Sequence, residues 1–283
     1  MKLISVLDHL AATPTTAAPR RALLAQLGRA AVAALPLGMG TALPAAAGTL
    51  DTSYDATLQL LLLERLQVAL YTQGLAATGL VPTAQRTDFQ RILSHQTQHV
   101  ALLLQALQDA GAIVPTQPSF DFTGRHNVST NPVLFPNVLT NFDDFLALAQ
   151  QIEDLSARLY NVHALNLVYD KPLTQSVLRI LSVEAQHAAH IRSLRKGRGA
   201  TVQYWPSEED AVIARSAAAQ VLTTAATGDE NNITQYISPG VAIPFDDFLR
   251  IGYGTAIHDP ALPESFDEPA NTATAQAALN LFI

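Results

Sequence analysis

Two short segments of the chain repeat each other and place similar polar residues at the same spacing. Residues 91–99 and residues 179–187 are identical at six of nine positions. In each segment a histidine lies three residues after an acid or its amide, which puts both side chains on one face of a helix. Carboxylate and imidazole groups that converge in this way are suited to binding iron or manganese. The residues are Gln96 and His99 in the first segment and Glu184 and His187 in the second.

A glutamate upstream of each segment extends the repeat. Glu64 is followed seven residues later by Tyr71, and Glu153 with Tyr160 repeats this arrangement at an offset of 89 residues. One Glu from each of two helices, with a Glu-x-x-His pair from each of two others, is how a four-helix bundle assembles a site for two metal ions. The sequence therefore predicts such a site, with one departure, because Gln96 is an amide where the other half has an acid.

Other histidines and the two tyrosines are weaker candidates for this site. His95 lies one turn before His99 and could join it as a ligand, but a basic residue shares its face, so we expect it to face solvent. We expect His190 to lie at the surface or behind the ligands. Tyr71 and Tyr160 are expected to be core aromatic residues, with contact to a ligand or electron transfer as the alternative. The sequence identifies no partner for His126, His163 or His258.

Four helical patterns must position these residues. The predicted helices span about 51–78, 84–110, 141–168 and 171–197. Short connections make the first pair and the second pair antiparallel hairpins. About 30 residues rich in Pro, Asn and Thr separate the pairs, enough to span the bundle and let the third helix run parallel to the second. We predict an all-α antiparallel four-helix bundle over residues 48–200, with this long crossover.

The C-terminal residues 201–283 are predicted to form a helical extension packed on the bundle. Ser207 and the acids after it predict the start of a helix that continues to about Ala226. The sequence Phe-Asp-Asp-Phe-Leu at residues 245–249 repeats the start of the third helix and predicts another helix start. A final short helix is expected over Thr272–Phe282.

Composition excludes several classes of function and partner. The chain has no cysteine, which excludes thiolate zinc sites, iron–sulfur clusters and disulfides. A net charge of −7, with only a short basic run at residues 192–198, argues against a nucleic-acid partner, since that binding needs Lys and Arg to neutralise phosphates. A homodimer is compatible with the sequence, and no physiological partner is identified.

The first 47 residues have the features of an export signal. Arg20 and Arg21 precede an uncharged run rich in Ala and Leu, which ends near Ala47 in the small residues that a signal peptidase accepts. The arginine pair resembles a bacterial twin-arginine signal, so we expect an exported protein of the periplasm or cell envelope. Gly40 and two prolines interrupt the apolar run, and we predict no stable transmembrane span.

The repeated residues give the chain a resemblance to bacterial ferritin-like domain proteins, of the exported kind related to desiccation-associated proteins. The resemblance covers about residues 51–198 through the ligand pattern and extends to residues 265–269, Ser-Phe-Asp-Glu-Pro. It implies that the two upstream glutamates are terminal ligands, that each repeated histidine binds one ion, and that the acid before each histidine bridges the ions. The implied iron or manganese ligands are Glu64, Gln96, His99, Glu153, Glu184 and His187.

Gln96 would then replace a bridging carboxylate. An amide is neutral and offers one oxygen. Three carboxylates leave a net charge of +1 with two divalent ions, which is unfavourable in a low-dielectric interior. We therefore expect weaker binding of a second ion, with one ion held by Glu153, Glu184 and His187, or none.

Two main functions fit these observations, and the sequence leaves open whether the protein is an enzyme. The first is a di-iron or di-manganese oxidoreductase acting on dioxygen, peroxide or Fe(II), in the manner of a ferroxidase or catalase. The second is a metal-free protein of the cell envelope that uses the bundle as a scaffold, in stress or desiccation tolerance. Iron storage in a cage is a third hypothesis, which the long crossover and the C-terminal extension disfavour.

Overall fold

The structure, a computed structural model, describes most of the chain beyond its first 52 residues. Contacts between Cα atoms divide the chain into two compact units, of which one contains residues 105–115 and the other contains the remaining described residues. The export signal expected at residues 1–47 and the repeated segment at residues 245–249 lie outside the described residues. The described residues are 53–168, 170–228, 236–238, 241–243 and 268–283.

Four long helices form the bundle, as predicted. They are α1 at Ser53–Ala76, α2 at Arg86–Asp109, α3 at Phe142–Asn166 and α4 at Lys171–Gly197. N-capping side chains fix where helices α3 and α4 begin. The Asn141 side chain accepts hydrogen bonds from the backbone N–H groups of Asp143 and Asp144, and Asp170 accepts one from Leu173. Within the described residues, none of the helices is long and apolar enough to cross a membrane.

Contacts between the helices give their directions. Residues early in α2 contact residues late in α4, and the same holds for α3 with α4, so both pairs are antiparallel. Because α2 and α3 both run against α4, they run parallel to each other, which the long connection between them permits. This arrangement confirms the predicted crossover. The contacts are Asp88–His190 and Gln96–Glu184 between α2 and α4, and Asp143–Arg198 and Asp154–Arg192 between α3 and α4.

Helix α3 is the most deeply buried of the four. Every residue from Leu148 to Tyr160 is buried, although six of these side chains, besides the tyrosine, are polar or charged. Contacts with α1 and α4 account for part of this burial, and the C-terminal residues cover more. The Arg158 guanidinium donates hydrogen bonds to the backbone carbonyls of Ala225, Thr227 and Glu268. The buried polar residues of α3 are thus satisfied by protein groups rather than by water.

The C-terminal residues contain short elements. A 3-10 turn at Ala217–Ala219 leads into helix α5 at Gln220–Ala226, and strands β1 at Tyr236–Ser238 and β2 at Val241–Ile243 pair in antiparallel register. Helix α6 at Thr272–Leu279 continues into a 3-10 turn at Asn280–Phe282. The final helix agrees with the prediction, whereas the small two-stranded ribbon was not predicted.

The helix predicted to start at Ser207 begins ten residues later, at Ala217. Asp210 was expected in the first turn of that helix. Its carboxylate instead accepts a hydrogen bond from the backbone N–H of Gln203 and forms an ion pair with Arg192. The Ser207 hydroxyl accepts from the N–H of Glu209 and closes a turn there. These contacts, and the ion pair with Arg192 above all, hold the segment in a loop. The prediction of its helix start was therefore wrong.

Arg192 connects this loop to the bundle. Its guanidinium is buried and donates two hydrogen bonds of 2.8 Å to the two oxygens of Asp154. It also donates to Asp210 at 2.5 Å and to the backbone carbonyl of Trp205 at 3.0 Å. A buried cation with two carboxylates is tolerated because both signs of charge are paired.

Replacing Arg192 alone is expected to destabilise the protein strongly. In an Arg192→Met variant the Asp154 carboxylate stays buried without its cation, which costs about 3–5 kcal/mol of unfolding free energy. A double variant, Arg192→Met with Asp154→Leu, is expected to recover most of that loss. Urea denaturation of the three proteins tests this. A double variant no more stable than the single one would mean that the unpaired charge is not the cause.

His163 links α1, α3 and α6. Its ring is buried, and its Nε2 lies 2.8 Å from Oε1 of Gln59 on α1. The amide nitrogen of Gln59 in turn donates a hydrogen bond of 2.9 Å to the backbone carbonyl of Thr272. Burial lowers the pKa of His163 from 6.5 to about 4, because the charged ring would lose its hydration.

The protein is therefore expected to lose stability as the pH falls below the ordinary histidine pKa. The unfolded chain takes up a proton at His163 that the folded chain does not accept until lower pH, so unfolding becomes easier. Between pH 7 and pH 5 this group should contribute a loss of about 2 kcal/mol. A His163→Gln variant, which keeps a donor for Gln59, should lack that part of the pH dependence in urea denaturation. Equal pH dependence in both proteins would contradict this origin.

Candidate metal centre

The structure brings all six predicted ligand positions together in the interior of the bundle. One residue comes from α1, two from α2, one from α3 and two from α4, as the repeat requires. The side chains of Glu64, Gln96, Glu153 and Glu184 are 0% exposed. Three carboxylates without access to water are costly unless protons, hydrogen bonds or a cation compensate them. The full set is Glu64, Gln96, His99, Glu153, Glu184 and His187.

Five of these residues form two overlapping triads. We name Glu64, His99 and Glu184 the first triad, and Glu153, Glu184 and His187 the second triad. In each triad one ligand atom per residue lies within 4.8 Å of the others. Glu184 belongs to both triads and occupies the central position between the two histidines. This geometry suits one shared carboxylate between two cation positions.

Several ligand atoms of the triads are buried without a hydrogen-bond partner among the described residues. His99 Nδ1 lies 3.1 Å from Oε1 of Glu184 and 3.3 Å from Oε1 of Glu64. His187 Nδ1 lies 3.5 Å from the same Glu184 oxygen. Since unsatisfied buried polar atoms are costly, these atoms fit a cation that accepts their lone pairs. They are Glu64 Oε2, His99 Nδ1, Glu184 Oε1 and His187 Nδ1.

The two tyrosines bind the glutamates of the opposite half. Tyr160 donates a hydrogen bond of 2.5 Å to Oε1 of Glu64, and Tyr71 donates to Oε1 of Glu153. Both rings are buried, as expected of core aromatic residues, and both also contact a candidate ligand. Each phenol fixes one oxygen of its glutamate and thereby orients the other.

Two further residues of the cluster were missed by the sequence analysis. Gln67 on α1 donates hydrogen bonds from Nε2 to Oε2 of Glu153 at 3.1 Å and to Oε2 of Glu184 at 2.9 Å. Ser156 on α3 donates to that same Glu184 oxygen at 2.8 Å. These residues occupy equivalent positions, three after Glu64 and three after Glu153, at the same offset of 89. Extending the repeat by one helical turn would have found them.

Gln96 also turns its amide nitrogen toward Glu184. Its Nε2 lies 3.1 Å from Oε2 of Glu184, which therefore accepts three hydrogen bonds, from Gln67, Gln96 and Ser156. The amide oxygen of Gln96 has no hydrogen-bond partner among the described residues. Gln96 thus occupies the position of the second bridging carboxylate but donates a hydrogen bond to the first.

The expectation that His95 faces solvent is only partly met, because the ring is partly buried and contacts a candidate ligand. The Nδ1 of His95 lies 3.0 Å from Nε2 of His187, and the two rings stack with centroids 5.2 Å apart. Packing of α2 against α4 brings the rings together, which the pattern of one helix could not show. A hydrogen bond to the outer nitrogen of a ligand histidine orients its inner nitrogen. His95 therefore keeps His187 Nδ1 directed toward the carboxylates.

The other described histidines lie away from the triads. The His190 side chain is 35% exposed and 3.8 Å from Asp88, in agreement with its expected place at the surface. His126 contacts the backbone carbonyl of Ile283, and His163 has the partners described above. His258 lies outside the described residues.

Protons compensate the charges of the cluster. Burial, with the neighbouring Glu184 charge, raises the pKa of Glu64 to about 8, and burial also raises the pKa of Glu153. Burial opposes charge on the histidines, but contact with the carboxylates outweighs it and raises the pKa of His99 to about 9 and that of His187 to about 10. The same two rings outweigh burial at Glu184 and hold its pKa well below its usual range. A buried carboxylate thus lies between two imidazoles whose pKa values are raised, and a bound cation would have to replace protons.

Comparison with known protein families agrees with this geometry. The sequence model of the ferritin-like domain matches residues 56–197, which include three helices of the bundle, all but the first turn of α1, and every residue of both triads. No curated protein gives a significant match to the chain. The matched segment makes up half of the chain, and the chain belongs to the ferritin-like domain family.

Proposed function

We propose that this protein binds iron or manganese at the centre formed by the two triads and uses the metal for oxidation–reduction chemistry on dioxygen, peroxide or Fe(II). The observation that carries the proposal is the set of four buried ligand atoms without hydrogen-bond partners among the described residues, all turned into one cluster. Carboxylate oxygens and imidazole nitrogens are the donor set that these metals prefer.

The residues of the cluster would have distinct roles. Glu64 and His99 on one side, and Glu153 and His187 on the other, would hold the metal together with the shared Glu184. When bound, iron or manganese supplies the capacity to exchange single electrons with dioxygen or peroxide. The protein excludes bulk water from the cluster, because all three carboxylates are fully buried. Tyr71 and Tyr160 hold phenolic protons against the terminal glutamates and keep their orientation.

The charge of the cluster limits how much metal it can hold. Two divalent ions carry four positive charges, and only three carboxylates face them. Gln96 supplies a neutral amide where a fourth carboxylate would restore the balance. We therefore expect the natural protein to hold its second ion weakly or not at all.

Metal content and metal-dependent stability test the proposal. After reconstitution with Fe(II) or Mn(II), the wild type is expected to retain metal in stoichiometric amount by elemental analysis. Its Tm should fall on chelation, since saturation at about 100 times Kd stabilises the folded state by about 2.7 kcal/mol. A Gln96→Glu variant should retain more metal because it adds the missing charge. A Glu184→Gln variant, which removes the shared carboxylate, is the matched control and should retain much less.

A metal-free scaffold is the second candidate function, and the hydrogen bonds of the cluster favour it. Glu184 already accepts three hydrogen bonds at one oxygen, and each terminal glutamate accepts one from a tyrosine. A protein of this kind would support the cell envelope under stress or desiccation, in line with the resemblance at residues 265–269. It requires a Tm that neither chelator nor added metal changes, so the measurement above separates the two functions.

We also propose that the protein is exported through its N-terminal segment. Support comes from Arg20 and Arg21 and from the apolar run that ends near Ala47. Replacing both arginines by lysine, Arg20→Lys with Arg21→Lys, keeps the charge but removes the arginine pair. The wild type is expected in the envelope fraction of a bacterial host and the variant in the cytoplasm. The same distribution for both would refute a twin-arginine signal.

A further inference from the structure

The two triads are not equivalent, although the repeat relates them. Three pairs of matching positions around them differ between the halves. The difference at Gln96 and Glu184 was evident from the sequence, and the structure adds two more. Gln67 matches Ser156, and His95 matches Val183. These last two differences place a larger or more polar side chain in the first half of the chain.

In the second triad, Gln67 occupies the space between two carboxylates. Its amide nitrogen lies 3.1 Å from Glu153 and 2.9 Å from Glu184. That nitrogen has two protons and no lone pair to offer, so it binds the carboxylates as a cation would and presents nothing to a metal ion. Both oxygens of Glu153 already accept a hydrogen bond, one from Tyr71 and one from Gln67.

In the first triad, every residue keeps a ligand atom without a hydrogen-bond partner. These atoms are Glu64 Oε2, His99 Nδ1 and Glu184 Oε1, and no partner for them is present among the described residues. Ser156, the counterpart of Gln67, donates its hydrogen bond to Glu184 and leaves Glu64 Oε2 without a partner among the described residues. The donors of the first triad are therefore available to a cation, whereas Glu153 in the second triad is not.

We infer that the centre binds a single divalent cation at the first triad, and that Gln67 keeps the second triad closed. This inference rests on the metal-binding function proposed above and names the subsite that performs it. It differs from the expectation based on the sequence, in which a single ion would be held by Glu153, Glu184 and His187. Gln67 thereby determines how many ions the centre binds.

His95 indicates that, apart from the carboxylate missing at Gln96, the second triad lacks only the space that Gln67 fills. Its contact with Nε2 of His187 keeps the inner nitrogen of that ring directed toward the carboxylates. His187 Nδ1 accordingly has no hydrogen-bond partner among the described residues. Shortening Gln67 to the residue that its counterpart has should release Glu153 Oε2 and complete a second subsite.

Calorimetric titration of the metal-free protein with Mn²⁺ tests the role of Gln67. The wild type should bind one ion, and the Gln67→Ser variant should bind a second ion, more weakly than the first because the centre still has only three carboxylates. Gln73→Ser is the matched control, because Gln73 is on the same helix, outside the cluster and only partly buried, and it should bind one. If Gln67→Ser does not fold, as judged by circular dichroism, Gln67→Ala serves instead with the same expectation. A wild type that binds two ions, or a folded Gln67 variant that still binds one, would overturn the inference.

Two histidine variants test which triad holds the ion. His99→Ala should weaken Mn²⁺ binding by at least about tenfold, and His187→Ala should weaken it much less. The opposite result would overturn the assignment to the first triad but leave the proposed metal-binding function intact. If the wild type binds no Mn²⁺ and its Tm does not respond to it, the proposed function fails, and the inference fails with it.

Discussion

The structure depends on the burial of the Glu184 carboxylate at the centre of a helical bundle. A buried anion is tolerated only when its surroundings supply positive charge or several hydrogen-bond donors. Here both are present, since two imidazoles approach one oxygen and three donors bind the other. These partners come from α1, α2, α3 and α4 itself. The direction and register of all four helices are therefore tied to one side chain.

The same requirement extends outward through α3. This helix carries polar residues on more than one face and is buried throughout its middle. On the face toward the cluster its glutamate is bound by a tyrosine and an amide. On another face Asp154 is paired with Arg192, which in turn holds the loop at Asp210. The C-terminal residues are thus structural partners of α3, since they satisfy polar groups that would otherwise need water.

The fold and the main cluster could be predicted because they depend on local periodicity and on a repeat. The four helices follow from apolar spacing and caps such as Asn141, and the six ligand positions follow from the matched register of the two halves. The position of His95 could not be predicted, because it depends on which helix packs against that face. Ser207 and Asp210 have the residue types of a helix start, but the hydrogen bond from Arg192 on α4 holds the Asp210 carboxylate in a loop. Gln67 was missed since glutamine on an apolar face has no local mark of function.

The exchange of tyrosines between the halves has a consequence for the repeat itself. Each hairpin carries a glutamate and a phenol, but the phenol reaches only the glutamate of the other hairpin. Neither hairpin is a self-sufficient unit, and separation of the two would strip both glutamates of their donors at once. The two repeats are therefore interdependent halves of one unit rather than two independent modules joined in sequence. A single hairpin of this design could supply a phenol hydrogen bond to its buried glutamate only by pairing with a second copy of the same hairpin.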